Sequence, residues 1–185
     1  MTPHITSLRP LALLAGLTAA TLSLEARATP ATVSVEYVHP ENFTDINNYG
    51  HFGSLRAEEI EAVLTTEFKT QGARCLAENQ SLKIEVRDVR LAGQSEWWRF
   101  RGNSDARVMR ESTWPSIRLD YQWSGADGLA LEQAHADIAD MNYLGHAGFE
   151  TRRQDPLPYE RAMLRAWFDR VFCIARDASR VAPPP

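Results

Sequence analysis

Lysine is almost missing from this sequence: Lys69 and Lys83 are the only two among 20 basic residues, and the remaining cations are arginines. Acidic residues number 24, so the formal net charge is −4, and no excess of positive charge recommends nucleic acid as a partner. Cysteine is equally scarce, since Cys75 and Cys173 are too few for a disulfide scaffold and lack the CxxC spacing of a zinc or redox site. Familiar catalytic signatures are absent as well: there is no GxSxG elbow, no HExxH, no GxxxxGK[ST] phosphate loop and no GxGxxG. Those absences argue against an enzyme and call for no cofactor. What is there, 44% hydrophobic residues and five tryptophans in 185 positions without an internal repeat, fits one globular domain.

The amino terminus speaks for export. Residues 1–10 carry Arg9 and no acid, residues 11–24 form an apolar run rich in Leu and Ala, and Ala26-Arg27-Ala28 puts small residues at −3 and −1. This pattern predicts a secretory signal peptide over residues 1–28, cleaved after Ala28. A membrane anchor fits less well, because the apolar run reaches only about 21 Å as a helix against roughly 30 Å of hydrocarbon core. No cysteine near Ala28 supplies the usual bacterial lipoprotein signal. The expected product is periplasmic or secreted, without a transmembrane segment, with a single α/β domain over residues 29–180 and a disordered tail at 181–185. Loss of Arg9, Arg27 and Glu25 takes its charge from −4 to −5.

Val33, Val35 and Tyr37 alternate with polar neighbours in a strand pattern that ends at His39-Pro40. Ser54 is a suitable N-cap for a helix carrying Glu58 and Glu59 in its first turns and Ile60, Val63, Leu64 and Phe68 on one face, with Gly72 as its stop. Leu82, Ile84 and Val86 then alternate, while Val89 and Leu91 continue one residue out of step, which predicts a β-bulge near Arg87-Asp88. Ile117, Leu119, Tyr121 and Trp123 mark a further strand, opened by Pro115 and followed by a hairpin loop over residues 124–128 and a returning strand to about Ile138. Asp155-Pro156-Leu157-Pro158 starts the last helix, with Met163, Leu164, Trp167, Phe168, Val171, Ile174 and Ala175 on one face. The order β-α-β-β-β-α predicts an α+β fold: a two-layer α/β sandwich with both helices on one side of a four-stranded sheet.

Residues 37–45 (YVHPENFTD), 88–93 (DVRLAG), 114–119 (WPSIRL), 140–144 (DMNYL) and 157–160 (LPYE), with Met163-Leu164 and Trp167-Phe168, resemble the exported bacterial family known as domain of unknown function 3016. The resemblance spans nearly the whole mature chain with its blocks in the same order. It implies an envelope or secreted protein of no established activity and supplies no catalytic residue. The element order is also similar to that of small envelope-assembly domains such as the lipopolysaccharide-assembly lipoprotein, in architecture alone.

Several side-chain groups merit attention as sites. His39, Glu41, Asp45 and His51 gather in one loop after a strand, but their spacing matches no standard zinc or calcium motif, and turn chemistry accounts for the same residues. His135 and Asp137, two apart on one strand face with Asp140 nearby, make a two- or three-ligand metal site geometrically possible without completing a ligand set. The most unusual composition is Trp97, Trp98, Arg99, Arg101, Arg107, Arg110 and Trp114; in residues 97–118 five arginines face only Asp105 and Glu111. Tryptophan with arginine can stack on sugar rings and clamp anions, which suits a binding surface for an envelope protein or glycan. Alternatively, the tryptophans cap the core while the arginines stay wet. The leading expectation is a non-catalytic envelope binding or assembly module, and the competing one a metal-dependent hydrolase using the histidine and aspartate clusters. Export favours a Cys75–Cys173 disulfide, yet nine residues of regular helix put Cys173 opposite Leu164, away from the apolar face, so an exposed thiol or an intermolecular bridge stays open.

Overall fold

Alternating Val33, Val35 and Tyr37 form strand β1 (Thr32–Tyr37) of the computed structural model, which describes residues 28–46, 56–96, 107–145 and 155–181. His39 then takes a left-handed conformation ahead of a 3-10 turn at Pro40–Asn42, and Phe43 drops into the core. Helix α1 (Ala57–Cys75) has Arg56 as its N-cap, with the Glu59 carboxylate accepting the Arg56 N–H at 2.8 Å. Ser54, expected as the cap, lies outside the described residues. Gly72 does not stop the helix, which runs on to Cys75; a Cβ there would collide with Val33 Cγ2, so the missing side chain lets α1 lie directly on β1.

Strand β2 (Ser81–Arg90) pairs parallel to β1, with α1 as the crossover that parallel neighbours require. Beyond it β5 (Ser116–Ser124) and β6 (Ala130–Ala139) complete an antiparallel run, giving the sheet order β1-β2-β5-β6. The expected bulge is present. Register shifts between Val86 and Asp88, which leaves Val86 and Val89 both buried. One lateral row, Val35, Ile84, Tyr121 and Ala134, faces the helices; the adjoining row, Glu36, Glu85, Asp120 and His135, faces away from them. The long connection after β2 is not wholly irregular, because β3 (Gln94–Ser95) and β4 (Arg107–Val108) pair as a small antiparallel ribbon.

Helix α2 (Pro158–Phe168) buries Met163, Leu164, Trp167 and Phe168 as its spacing predicts. It then departs from regular geometry in a π segment, Asp169–Cys173, before α3 (Ile174–Val181). Closing i→i+5 bonds absorbs one extra residue and turns everything after it by about 100°. Phe172 is thereby fully buried and Cys173 faces α1, whereas Ile174, expected on the apolar face, is 64% exposed. That rotation corrects the helical-wheel placement of Cys173. Cys75 and Cys173 form a disulfide across 98 residues of sequence, tying the end of α1 to the π segment. Phe172 meets Trp167, Phe168, Tyr121 and Trp123 with ring centroids 5.1 to 5.6 Å apart, so the π segment also centres the aromatic core. The last helix reaches Val181, the first residue of the expected tail; residues 182–185 lie outside the described residues. Among the described residues no helix is long and apolar enough to cross a membrane.

Candidate functional site

Two regions gather chemistry-bearing side chains. The first is at the end of the molecule where β2 runs out. Arg107, expected on a wet binding surface, is instead a strut: its side chain is only 13% exposed. Its Nε donates to the Ala92 carbonyl at 2.8 Å, and Nη2 donates to the carbonyls of Gly93 at 2.5 Å and Leu91 at 3.3 Å while pairing with Asp45 at 3.3 Å. The reason is steric and electrostatic. A planar guanidinium can satisfy several converging backbone acceptors at once, which leaves Arg107 unable to grip an external ligand with those same donors.

Carboxylates fasten the same region. Asp45 accepts the Leu91 N–H at 2.8 Å as well as Arg107, both on Oδ2, and so forms a long-range brace. Asp88 takes both the N–H and the hydroxyl of Thr44, at 2.7 and 2.9 Å, and pairs with Arg118. Glu160, 2% exposed, accepts the Ala92 N–H at 2.7 Å, and burial pushes its carboxyl above the ordinary glutamate range. Arg110 pairs with Glu96 at 2.5 Å, and its backbone N–H and carbonyl both engage the Tyr143 hydroxyl. Trp114 is partly buried against Ala92, Tyr143 and Tyr159. Tyr143 and Tyr159 meet edge to face at 4.9 Å. Beside these contacts lies an apolar hollow of about 120 Å³, lined by Ile60, Leu91, Met109, Leu157 and Pro158, with Glu160 at its wall. Trp97, Trp98, Arg99 and Arg101 lie outside the described residues.

The second region is the open face of the sheet, where Lys83, Glu85, Arg87, Gln122, Gln133 and His135 border a wide polar depression of about 480 Å³. Glu85 and Asp120 stand directly opposite each other, a repulsive arrangement that Arg87 offsets by donating to both, at 2.6 and 2.8 Å. Lys83 adds a bond to Glu85 at 2.7 Å and holds its carboxyl below the ordinary range. His135 lies across from Asp120, with Nδ1 2.9 Å from Asp120 Oδ1 and Nε2 3.5 Å from Asp137 Oδ1. The hydrogen bond to Asp120 raises the histidine pKa and lowers that of the aspartate. Asp140, expected nearby, turns its carboxylate to the Asn142 N–H at 3.1 Å.

His39 is exposed and pairs with Glu41 at 3.2 Å, and His51 lies outside the described residues, so that loop assembles no ligand set among the described residues. The one described group of three or more close ligand residues is Cys75, Asp169 and Cys173, whose sulfurs are bonded to each other while Arg74 holds Asp169 at 2.6 Å. Sequence reasoning missed Asp120 and Glu160. Asp120 was readable only as the polar partner of a strand alternation, and Glu160 as a helix-entry acid; their roles come from cross-strand register and burial.

A family model described as a protein of unknown function, DUF3016, matches residues 31–170. No curated protein and no solved structure matches.

Proposed function

We propose, from the premise that the chain belongs to the DUF3016 family of proteins of unknown function, that it is an exported, non-catalytic binding module of the bacterial envelope. The observation that carries this reading is the braced framework formed by the described residues that flank residues 97–106 in the sequence. Arg107, Asp45, Glu160 and the Glu96–Arg110 pair are engaged in internal bonds, while β3 and β4 hold the two ends of that segment side by side. The sequence places Trp97, Trp98, Arg99 and Arg101 between two strands whose surroundings are internally bonded, and tryptophan with arginine in such a connection favours recognition over chemistry. Among the described residues, half-exposed Arg110 and Met109 and partly buried Trp114 are further candidates for the contact. Export is supported by the composition of residues 1–28 and by the Cys75–Cys173 disulfide, which persists in an oxidising compartment.

The test uses crosslinking in the native cell. The exported chain is expected in the periplasmic or extracellular fraction beginning at Thr29, and Trp97→Ala/Trp98→Ala/Arg99→Ala is expected to lose its envelope crosslinks while keeping its melting temperature. An unchanged crosslink pattern in the folded triple variant would place the contact surface elsewhere. Retention of residues 1–28 in the cytoplasm would remove the export reading.

A further inference from the structure

We infer that the open face of the sheet carries a surface site for a borderline divalent transition-metal ion, Zn²⁺ in the first instance, held by His135 Nε2 and Asp137 Oδ1 and oriented by Asp120. Residues two apart in β6 project to the same face, which brings the imidazole and the Asp137 carboxylate together. Their Nε2 and Oδ1 atoms are 3.5 Å apart. Two tetrahedral zinc ligands at bond lengths of about 2.0 to 2.2 Å are themselves separated by about 3.4 Å. The pair therefore already has the spacing of two ligands of one ion.

Asp120 completes the arrangement from the neighbouring strand. It is the cross-strand partner of His135 and lies 2.9 Å from Nδ1. An Nδ1–H donated to this carboxylate fixes the ring orientation and leaves the Nε2 lone pair directed away from Asp120. Metal-binding histidines are commonly held in this way, by a carboxylate on the nitrogen that does not touch the ion. Arg87, which also bonds Asp120, holds that carboxylate in place on its other oxygen. His135 and Asp137 have side chains 54% and 69% exposed, so water can fill the remaining coordination positions. Imidazole with carboxylate selects Zn²⁺ or Cu²⁺ over Mg²⁺ and Ca²⁺, which prefer all-oxygen shells.

The experiment is a Zn²⁺ titration of the full-length chain without an affinity tag, followed by the ring ¹⁵N resonances of the histidines and by calorimetry, with Mg²⁺ as control. Zn²⁺ is expected to shift His135 Nε2 saturably, and Mg²⁺ to leave it unmoved. His135→Ala should abolish this binding event, Asp137→Asn should weaken it, and Asp120→Asn should weaken it about tenfold while leaving the coordinating nitrogen the same. All three side chains are on the surface, so circular dichroism and melting temperature should stay at wild-type values. Zn²⁺ binding that survives His135→Ala, or a His135 resonance that does not move at millimolar Zn²⁺, overturns the site; unchanged affinity in Asp120→Asn overturns the orienting role. The Trp97/Trp98/Arg99 variant should bind Zn²⁺ normally, so this result is separate from that of the contact surface.

Discussion

Glu160 shows how one buried side chain links the helix entry to the end of β2. Its carboxyl, at the wall of the apolar hollow, accepts the Ala92 N–H, and desolvation favours its neutral form. A folded-state pKa above the unfolded value means that the native protein binds the proton more tightly. The associated stability is therefore complete below the unfolded glutamate range and is lost as pH rises through the raised folded value. Glu160→Gln keeps a carbonyl to accept the Ala92 N–H and cannot ionise. Melting temperatures of the two proteins across pH 4 to 8 should show the wild type losing stability relative to Glu160→Gln as pH increases. Parallel pH profiles would mean that the site is already well solvated in the native state. Arg107 carries the same lesson: arginine-rich composition suggested a binding surface, yet four acceptors around one guanidinium make this arginine part of the frame.

At the scale of elements, Gly72 reads in sequence as a helix stop because glycine commonly ends helices. Packing gives it another use, close contact with Val33 of β1. Gly72→Ala should gain about 1 kcal/mol of helix propensity but lose about 1 to 3 kcal/mol to overpacking, for a net loss of stability in urea unfolding. Adding Val33→Ala should recover part of that loss; strict additivity of the two changes would show that they do not touch. Most of the remaining element structure was legible. The bulge at Val86/Asp88, the β5–β6 hairpin and the apolar face of α2 follow from period-two and period-3.6 alternation, since each is a local consequence of which side must be buried. The π segment was not legible, because one inserted residue changes no composition and is selected by what Phe172 and Cys173 must reach.

For the whole molecule, the disulfide is the longest covalent brace between the two helical arms. Cys75→Ser/Cys173→Ser should cost up to about 4.7 kcal/mol in the chain-entropy picture, because the closed loop spans 98 residues. Equilibrium urea unfolding of the double variant, and of the wild type under reducing conditions, measures it. A change under about 1 kcal/mol in both would show that the π segment and its aromatic neighbours fix the geometry without the cross-link. Candidate sites were less legible than the fold. His135 and Asp137 could be paired by their spacing, but Asp120 entered only when β5 and β6 came into register.

The sequence by itself determined the order β-α-β-β-β-α of the four main strands and the two helical regions, though not the β3–β4 ribbon, and it determined the family, because each rests on local periodicity or contiguous blocks. Only the tertiary structure decided the strand order, the inward turn of Cys173, the burial of Arg107 and the alignment of Asp120 with His135. The physical reason is that these depend on distant segments sharing acceptors, charge or space. A linear pattern records which way a side chain tends to point; folding determines what it meets there.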